Sequence, residues 1–360
     1  MKAAIFHAPH EELTIEQIEV AEPTEHEVLV KTMASGVCHS DLHFVDGLYP
    51  MRAPAVLGHE ASGIVEAVGS LVTDFAPGDM VIACLSVFCG NCDRCLSGHP
   101  RLCTTRPSRA RDEAPRLSWE GDPVGQMANV GSYAEQMLLH ENGLVKITQD
   151  IELDRAALIG GGVTTGVGAV LNTAKIEAGS TVAVFGCGGV GLSAIQGARI
   201  AGARMIIAVD VIESKLATAR ELGATHSVDA SSRDPVEAIK DLTGGGADYT
   251  FEAIGLKIAA EQCFDSIRPG GTATIIGMIP VGQKVELDGP SFLQEKKIQG
   301  SSMGSNRFRS DMPKYIDFYL QGRLNLDDMV TRRGPLEDVN EAFRAMKAGE
   351  VVRSVLMFDE

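Results

Sequence analysis

Three groups of residues in this 360-residue chain have types and spacings suited to chemistry. In the first, 89-CGNCDRCLSGHPRLC-103, Cys89, Cys92, Cys95 and Cys103 are spaced C-x2-C-x2-C-x7-C. Four thiolates close a tetrahedral zinc shell with no open position, the mark of a structural site. Iron–sulfur ligation is the rival reading of such spacing, and unligated buried thiols are the plain one. The second group is a pair of segments, 36-GVCHSDLH-43 and 58-GHEASGIVEAVG-69. Cys38 and His59 each offer a zinc donor. Ser40 and His43 could pass a proton between a bound alcohol and solvent, and Asp41 and Glu60 could orient or supplement ligands. A lone Cys is usually a small core residue, so it is the two segments together that suggest a site.

The third group lies in TVAVFGCGGVGLSAIQGARIAGA, where Gly186, Gly188 and Gly191 fit G-x-G-x-x-G between a strand and a helix. The first glycine permits a sharp turn, the second lets backbone approach a pyrophosphate, and the third allows close helix–strand packing; the helix N-terminus supplies the anion site. Asp210 ends the next strand, placed to accept from a ribose 2′-OH. A 2′-phosphate would be repelled there, and the following Val211, Ile212 and Glu213 supply no arginine. The expected cofactor is therefore NAD rather than NADP. A glycine-rich turn without nucleotide is the bland alternative.

The elements that must carry these groups are legible as well. Residues 1 to about 150 read as mostly β, with Val/Ile-rich runs at 27–35 and 61–70 broken by Gly and Pro. Residues 100–132 look like a surface lobe or loop. From about 155 the rhythm becomes βαβ: strands at 181–186, 205–210, 226–230, 247–255 and 270–278, with helices near 190–202 and 213–222. The stretch 159-IGGGVTTGVG-168 reads as a glycine-rich helix start. Helices at 311–321 and 337–348 and a strand at 353–358 close the chain. This implies a β-rich domain built from both ends of the chain with an α/β domain inserted between them.

Bulk properties set limits. Apolar residues make up 44% and charged residues 22%, ordinary for a globular protein. The net charge of −16, with no dense Lys/Arg tract, argues against nucleic acid or an anionic membrane surface as a partner. No run approaches the roughly 18 uninterrupted apolar residues of a membrane span, and the N-terminus has no apolar leader. A cytoplasmic enzyme is expected. Crowding of four of the eight cysteines into fifteen residues fits metal binding better than disulfides.

On these motifs the chain resembles the zinc-dependent alcohol dehydrogenases of the medium-chain dehydrogenase/reductase family, nearly end to end. GHEASGIVEAVGSLV fits the family's G-H-E-x2-G-x5-G-x2-V signature, the four-cysteine segment fits its structural-zinc lobe, and GCGGVG with Asp210 fits its NAD site. The resemblance implies a GroES-like catalytic domain (1–155 and 305–360, lobe at about 89–103) and a Rossmann domain with a doubly wound parallel sheet (156–304), with the active site in the cleft between them. It implies Cys38 and His59 as catalytic-zinc ligands, Ser40 against the substrate alcohol and His43 as proton relay. His39 and Arg353 match positions near the pyrophosphate, with Gly186, Gly188, Gly189 and Gly191 in the turn. Thr165 and Val190 match positions beside the nicotinamide, Lys215 one near the adenosine, and Leu85 one that shapes the substrate pocket. Trp119 lies in the variable lobe, either lining the cleft or packing. A small alcohol or carbonyl substrate and a homo-oligomer, dimer or tetramer, are implied too.

One position departs from the pattern. With Thr165 and Gly166 fixing the register, the family's third catalytic-zinc ligand falls on Gly161, which has no side chain. Three readings stay open. Zinc binds through Cys38 and His59 with Glu60 as third donor; one thiolate leaves the ion at +1, which a carboxylate would neutralise. Or the zinc is lost, and the protein is a reductase of an activated C=C or C=N bond or a non-catalytic NAD-binding relative. Or the glycine is an introduced or disabling change. Retention of Cys38, His59, Glu60, Ser40 and His43 together favours the first.

Overall fold

The computed structural model describes residues 1–110 and 113–358. By packing, the chain divides into two compact units, residues 1–161, 307–320 and 326–360, and residues 162–306 with 321–325.

The first unit is built on the ten-residue strand Glu27–Gly36. Its residues alternate, so Val28, Val30 and Ala34 are fully buried. One edge of the strand pairs antiparallel with Glu60–Val68. The other is shared by Gln136–His140 along its first half and Arg353–Met357 along its last. This register sets Gly36 opposite both Glu60 and Val355. The strands belong to a seven-stranded sheet, and a six-stranded sheet contains Lys2–Phe6 and Ala55–Val56. A core of Ile5, Phe6, Leu57, Tyr133, Phe343 and Leu356 fills the space behind the site described below.

The segment 100–132 is more ordered than a surface lobe. Leu117–Trp119 and Asp122–Gln126 are strands, and Leu117, Val124, Met127 and Val130 are buried. Strands this short, one reading DPVGQ, carry too little alternation to be recognised. The segment is pinned by a buried carboxylate: Glu27 accepts from Arg116 Nε at 2.6 Å and from Arg109 Nη2 at 2.6 Å. Burial opposes ionisation of Glu27, but hydrogen bonds from Arg109, the Thr24 amide and Arg116 outweigh it and bring its pKa to about 2.

The second unit holds a six-stranded parallel sheet in the order 226–229, 205–210, 181–185, 247–252, 267–275, 297–300. Its order reverses at Thr181–Phe185, the switch point at which such sheets bind ligands. Phe185, Ile207, Val209, Ile239 and Phe264 form its core with helices Pro235–Thr243 and Lys257–Asp265. Each strand expected from the sequence is present, with ends shifted by a few residues.

The stretch 159–168 is not a helix start. Residues 153–174 are helical throughout, with wide π-type turns at Ile159–Val163 and Ala169–Ala174. By length and composition Leu153–Ala174 could cross a membrane, but 78% of it is buried in protein, as in a core helix. Its glycines serve close approach. A Cβ at Gly160 would stand 2.8 Å from the Ala83 carbonyl, and one at Gly166 2.6 Å from Ser193 Cβ.

Glu27 yields a stability prediction. Glu27→Gln leaves two largely covered guanidinium groups without their buried anion, and urea unfolding at pH 7 should register a loss of about 3 kcal/mol. A carboxyl depressed from 4.5 to about 2 stabilises fully above pH 4.5 and loses that contribution as pH falls towards 2. The gap between wild type and variant should therefore be smaller at pH 3 than at pH 7; equal gaps would refute the assignment.

Candidate functional site

Cys38 follows the strand Glu27–Gly36 and precedes the short helix His39–Val45. His59 and Glu60 stand where the chain enters the strand Glu60–Val68. Asp41 fixes the two segments against each other. It is fully buried and accepts from the Cys38 amide (3.3 Å), the Gly58 amide (2.9 Å) and the Tyr133 hydroxyl (2.9 Å). His59 Nδ1 lies 3.2 Å from Asp41 Oδ1. Donation there leaves Nε2 with its lone pair, the form a metal needs. Gly58 has φ +89°, and a Cβ would stand 2.6 Å from the Tyr133 ring, so only glycine fits this turn.

The donor atoms of Cys38, His59 and Glu60 all lie within 4.8 Å of one another. All three residues are buried. Burial and the Glu60 charge push the Cys38 thiol up, but Arg353 and His59 outweigh them and its pKa falls below the ordinary thiol value. Glu60 Oε1 accepts from Arg353 Nη2 at 2.9 Å, whereas Oε2 is buried with no hydrogen-bond partner among the described residues. A buried carboxylate oxygen without a donor is costly. The Glu60 carboxylate, grouped with a thiol and an imidazole, fits a divalent cation, and zinc suits that mixed S, N and O set. Of the three readings left open at Gly161, this grouping agrees with the first, in which Glu60 is the third donor: three protein donors are assembled without a side chain from that position, so the site is not one donor short.

The four cysteines form a second group, also within 4.8 Å of one another. Cys92 Sγ is 3.5 Å from Cys95 Sγ and 3.9 Å from Cys103 Sγ, and Cys89 Sγ is 3.9 Å from Cys95 Sγ. Sulfurs around one tetrahedral zinc at 2.3 Å stand about 3.8 Å apart. The amides of Asn91 and Cys92 and the Thr105 hydroxyl donate to Cys89 Sγ, which suits a thiolate.

In the second unit, Gly186 turns with φ +91° and a Cβ at Gly191 would overlap the Gly186 carbonyl. A Cβ at Gly188 would meet nothing within 4 Å, which is the open side a phosphate requires. Gly189 and Val190 open the helix Gly189–Ile200. Asp210 ends its strand and accepts from the amides of Cys187 (2.7 Å), Val211 (2.8 Å) and Ile212 (3.1 Å). Lys215 lies in the first turn of Glu213–Glu221, and Thr165 Oγ1 is 3.2 Å from Met303 Sδ.

Residues 24–149 match the family described as alcohol dehydrogenase GroES-like domain, and residues 189–321 the family described as zinc-binding dehydrogenase. The chain is 38% identical to alcohol dehydrogenase class-3 of Myxine glutinosa, over 99% of this chain and 97% of that protein. The chain belongs to the zinc-binding medium-chain alcohol dehydrogenase family. Among solved structures, an alcohol dehydrogenase zinc-binding domain protein from Burkholderia ambifaria is 37% identical with a TM-score of 0.94, covering 100% of this chain and 99% of that one. Benzyl alcohol dehydrogenase from Acinetobacter calcoaceticus is 33% identical with a TM-score of 0.92, covering 99% of each. The first unit is accordingly a GroES-like barrel and the second a Rossmann-like parallel sheet, and the protein is a zinc-dependent oxidoreductase of the alcohol dehydrogenase type.

Other expected site residues fall in varied settings. Ser40 Oγ lies 3.5 Å from Cys38 Sγ. His43 is half-buried, its ring stacked 6.1 Å from Tyr49 and its Nδ1 without a partner. His39 is exposed, 6.4 Å from His43 ring to ring. Arg353 is 5% exposed, with Nη1 donating to the Val37 carbonyl and Nη2 to Glu60. Leu85 packs against the core beside Val81 and Ala83, and Trp119 packs against the other core with His7 5.3 Å away. Two residues escaped the sequence reading. Tyr133 has no local signal, because its partner Asp41 is 92 residues away. Glu252 accepts the amides of Ile254 and Gly255 on Oε1 and of Gly277 on Oε2, which ties two loops of the Rossmann unit together.

Tyr133→Phe removes one donor from Asp41 and adds nothing in its place. Unfolding should register a loss of about 1–3 kcal/mol, the cost of a buried acceptor left short. Unchanged stability would mean that the Tyr133 hydroxyl does not hold Asp41.

Proposed function

We propose that this protein is an NAD-dependent alcohol dehydrogenase that interconverts an alcohol and its aldehyde or ketone, with Cys38, His59 and Glu60 holding the catalytic zinc and Cys89, Cys92, Cys95 and Cys103 the structural one. The carrying observation is the grouping of a Cys38, a His59 and a Glu60 donor atom within 4.8 Å of one another, in a buried setting where Glu60 Oε2 has no hydrogen-bond partner among the described residues. Held by Cys38, His59 and Glu60, a zinc ion would supply Lewis-acid polarisation of a substrate oxygen, and a bound nicotinamide would supply the hydride acceptor or donor. The remaining work belongs to the chain.

Ser40, beside Cys38, supplies the hydroxyl that takes up the alcohol proton, and His43 carries it onward. Burial lowers the His43 pKa below 6.5, against the opposing charge of Asp46, so its ring is neutral at pH 7 and able to receive a proton. The open side of Gly188 and the Gly189–Ile200 helix N-terminus receive the pyrophosphate. Asp210 takes the ribose hydroxyls and disfavours a 2′-phosphate, which supports NAD over NADP. Arg353, Lys215, His39, Thr165 and Val190 are assigned to the cofactor by family position. A small primary, secondary or benzylic alcohol is the expected substrate class.

The test pairs metal analysis with cofactor absorbance on one sample. About two zinc ions per chain are expected after dialysis, one per donor group, together with NADH formation from an alcohol panel and much slower reaction with NADP. One zinc per chain with carbonyl-independent reduction of C=C or C=N bonds would replace this reading with that of a metal-free reductase. NADH binding without turnover would leave a non-catalytic relative.

A second prediction concerns pH. Alcohol oxidation should fall on the acid side, below pH 6.5, as His43 becomes protonated and stops accepting. His43→Gln should flatten that limb and lower kcat by about a hundredfold. An unaltered pH profile in the variant would remove His43 from the relay.

A further inference from the structure

We propose that Gly161 selects the ligand set of the metal centre: by carrying no side chain it leaves the space in which the Glu60 carboxylate sits, so that the third donor comes from position 60. This rests on the reading of Cys38, His59 and Glu60 as a metal site, and goes beyond it by naming what places Glu60 there.

The argument is steric. Gly161 lies in the wide turn Ile159–Val163. A Cβ built on it would overlap Cγ, Cδ and Oε1 of Glu60, and these are its three nearest atoms. Wide turns inside helices commonly place a function, and here the turn brings bare backbone against a carboxylate. The opposite side of the slot is also a glycine. Gly36 is the cross-strand partner of Glu60, and a Cβ there would stand 2.6 Å from Oε2 and 3.2 Å from the Glu60 Cβ. Glu60 is therefore held between two residues that have no side chains.

Charge sets its orientation within the slot. Arg353 occupies Oε1 at 2.9 Å, and Oε2 has no hydrogen-bond partner among the described residues. The carboxylate as a whole belongs to the group shared with Cys38 and His59. A side chain at 161 cannot share this space with Glu60. Alanine would expel the carboxylate and offer no donor, whereas cysteine would expel it and offer a thiolate instead.

The experiment compares wild type, Gly161→Ala, Gly161→Cys, Glu60→Ala and the Gly161→Ala/Glu60→Ala double variant as full chains. It reads metal per chain, loss of metal to a chelator, the Co(II) absorption spectrum of cobalt-exchanged protein, and the unfolding midpoint. In Gly161→Ala and Glu60→Ala the second metal should leave at least about tenfold faster than in wild type, while the metal of the four-cysteine lobe stays. Gly161→Cys should regain the second metal, with a stronger thiolate-to-cobalt band than wild type because two thiolates replace one. Ala at 161 should lower the unfolding midpoint in wild type and leave it unchanged in the Glu60→Ala background, where the overlapping side chain is gone. That comparison still decides the matter if Gly161→Ala proves too unstable for metal analysis. A Gly161→Ala protein with wild-type metal retention and an unchanged cobalt spectrum would overturn the proposal, as would an equal midpoint loss in both backgrounds. Wild type holding only one metal would instead defeat the underlying reading of the site.

Discussion

A carboxylate closed off from water must find positive charge, and in this protein that constraint falls on Glu60. It is 1% exposed, and among the described residues its ion-pair partner is Arg353, itself 5% exposed. The two residues come from strands 293 positions apart that meet on either side of Glu27–Gly36. The pair therefore couples the strand Arg353–Met357 to the strand Glu60–Val68. Removing one partner from such a pair costs far more than the pair contributes over an apolar equivalent. The arrangement is better understood as specification than as stabilisation. It fixes which Glu60 oxygen is occupied and which is free.

Asp41 does for His59 what Arg353 does for Glu60. Its carboxylate gathers the Cys38 amide, the Gly58 amide, the His59 ring and the Tyr133 hydroxyl, so one buried anion sets both the positions of two donor segments and the tautomer of the imidazole. Each donor to Asp41 is a constraint on where Cys38 and His59 can move relative to each other. The GroES-like unit thus holds two buried carboxylates in different settings: Asp41 is saturated with donors, whereas Glu60 has one oxygen with no hydrogen-bond partner among the described residues.

The chemistry-bearing residues were legible because their signals are local. The four cysteines, the Gly186–Gly191 turn and the strand ending at Asp210 each fall within a short window with fixed spacing, and the parallel strands are apolar enough to stand out. Glu60 was legible as a candidate third donor, but not the reason it stands beside Gly161, because alignment reads a position by the side chain it carries. What mattered was the neighbour that occupies the vacated volume, and a steric relation between residues 101 positions apart has no sequence signature. Tyr133 was invisible for the same reason. The strands at 117–119 and 122–126 were lost to their own brevity, their burial being decided by contacts with the first strands rather than by alternation.

The glycines make the same point in a sharper form. In the nucleotide turn Gly186 is needed for a backbone angle, φ +91°, that other residues resist, and Gly188 for an open face towards a ligand. Gly58 is needed for both angle and space. Along 159–168 the glycines adopt ordinary helical angles and are needed only for volume: Gly160 admits the Ala83 carbonyl, Gly161 the Glu60 carboxylate and Gly166 the helix Gly189–Ile200. Sequence presents these as one residue type, and the G-x-G-x-x-G pattern is recognisable only because angle and spacing constrain it locally. A glycine required for volume is defined by whatever fills the volume. At Gly161 the occupant is the Glu60 carboxylate, so the absence of a side chain at one position and the placement of a carboxylate from another are a single structural fact.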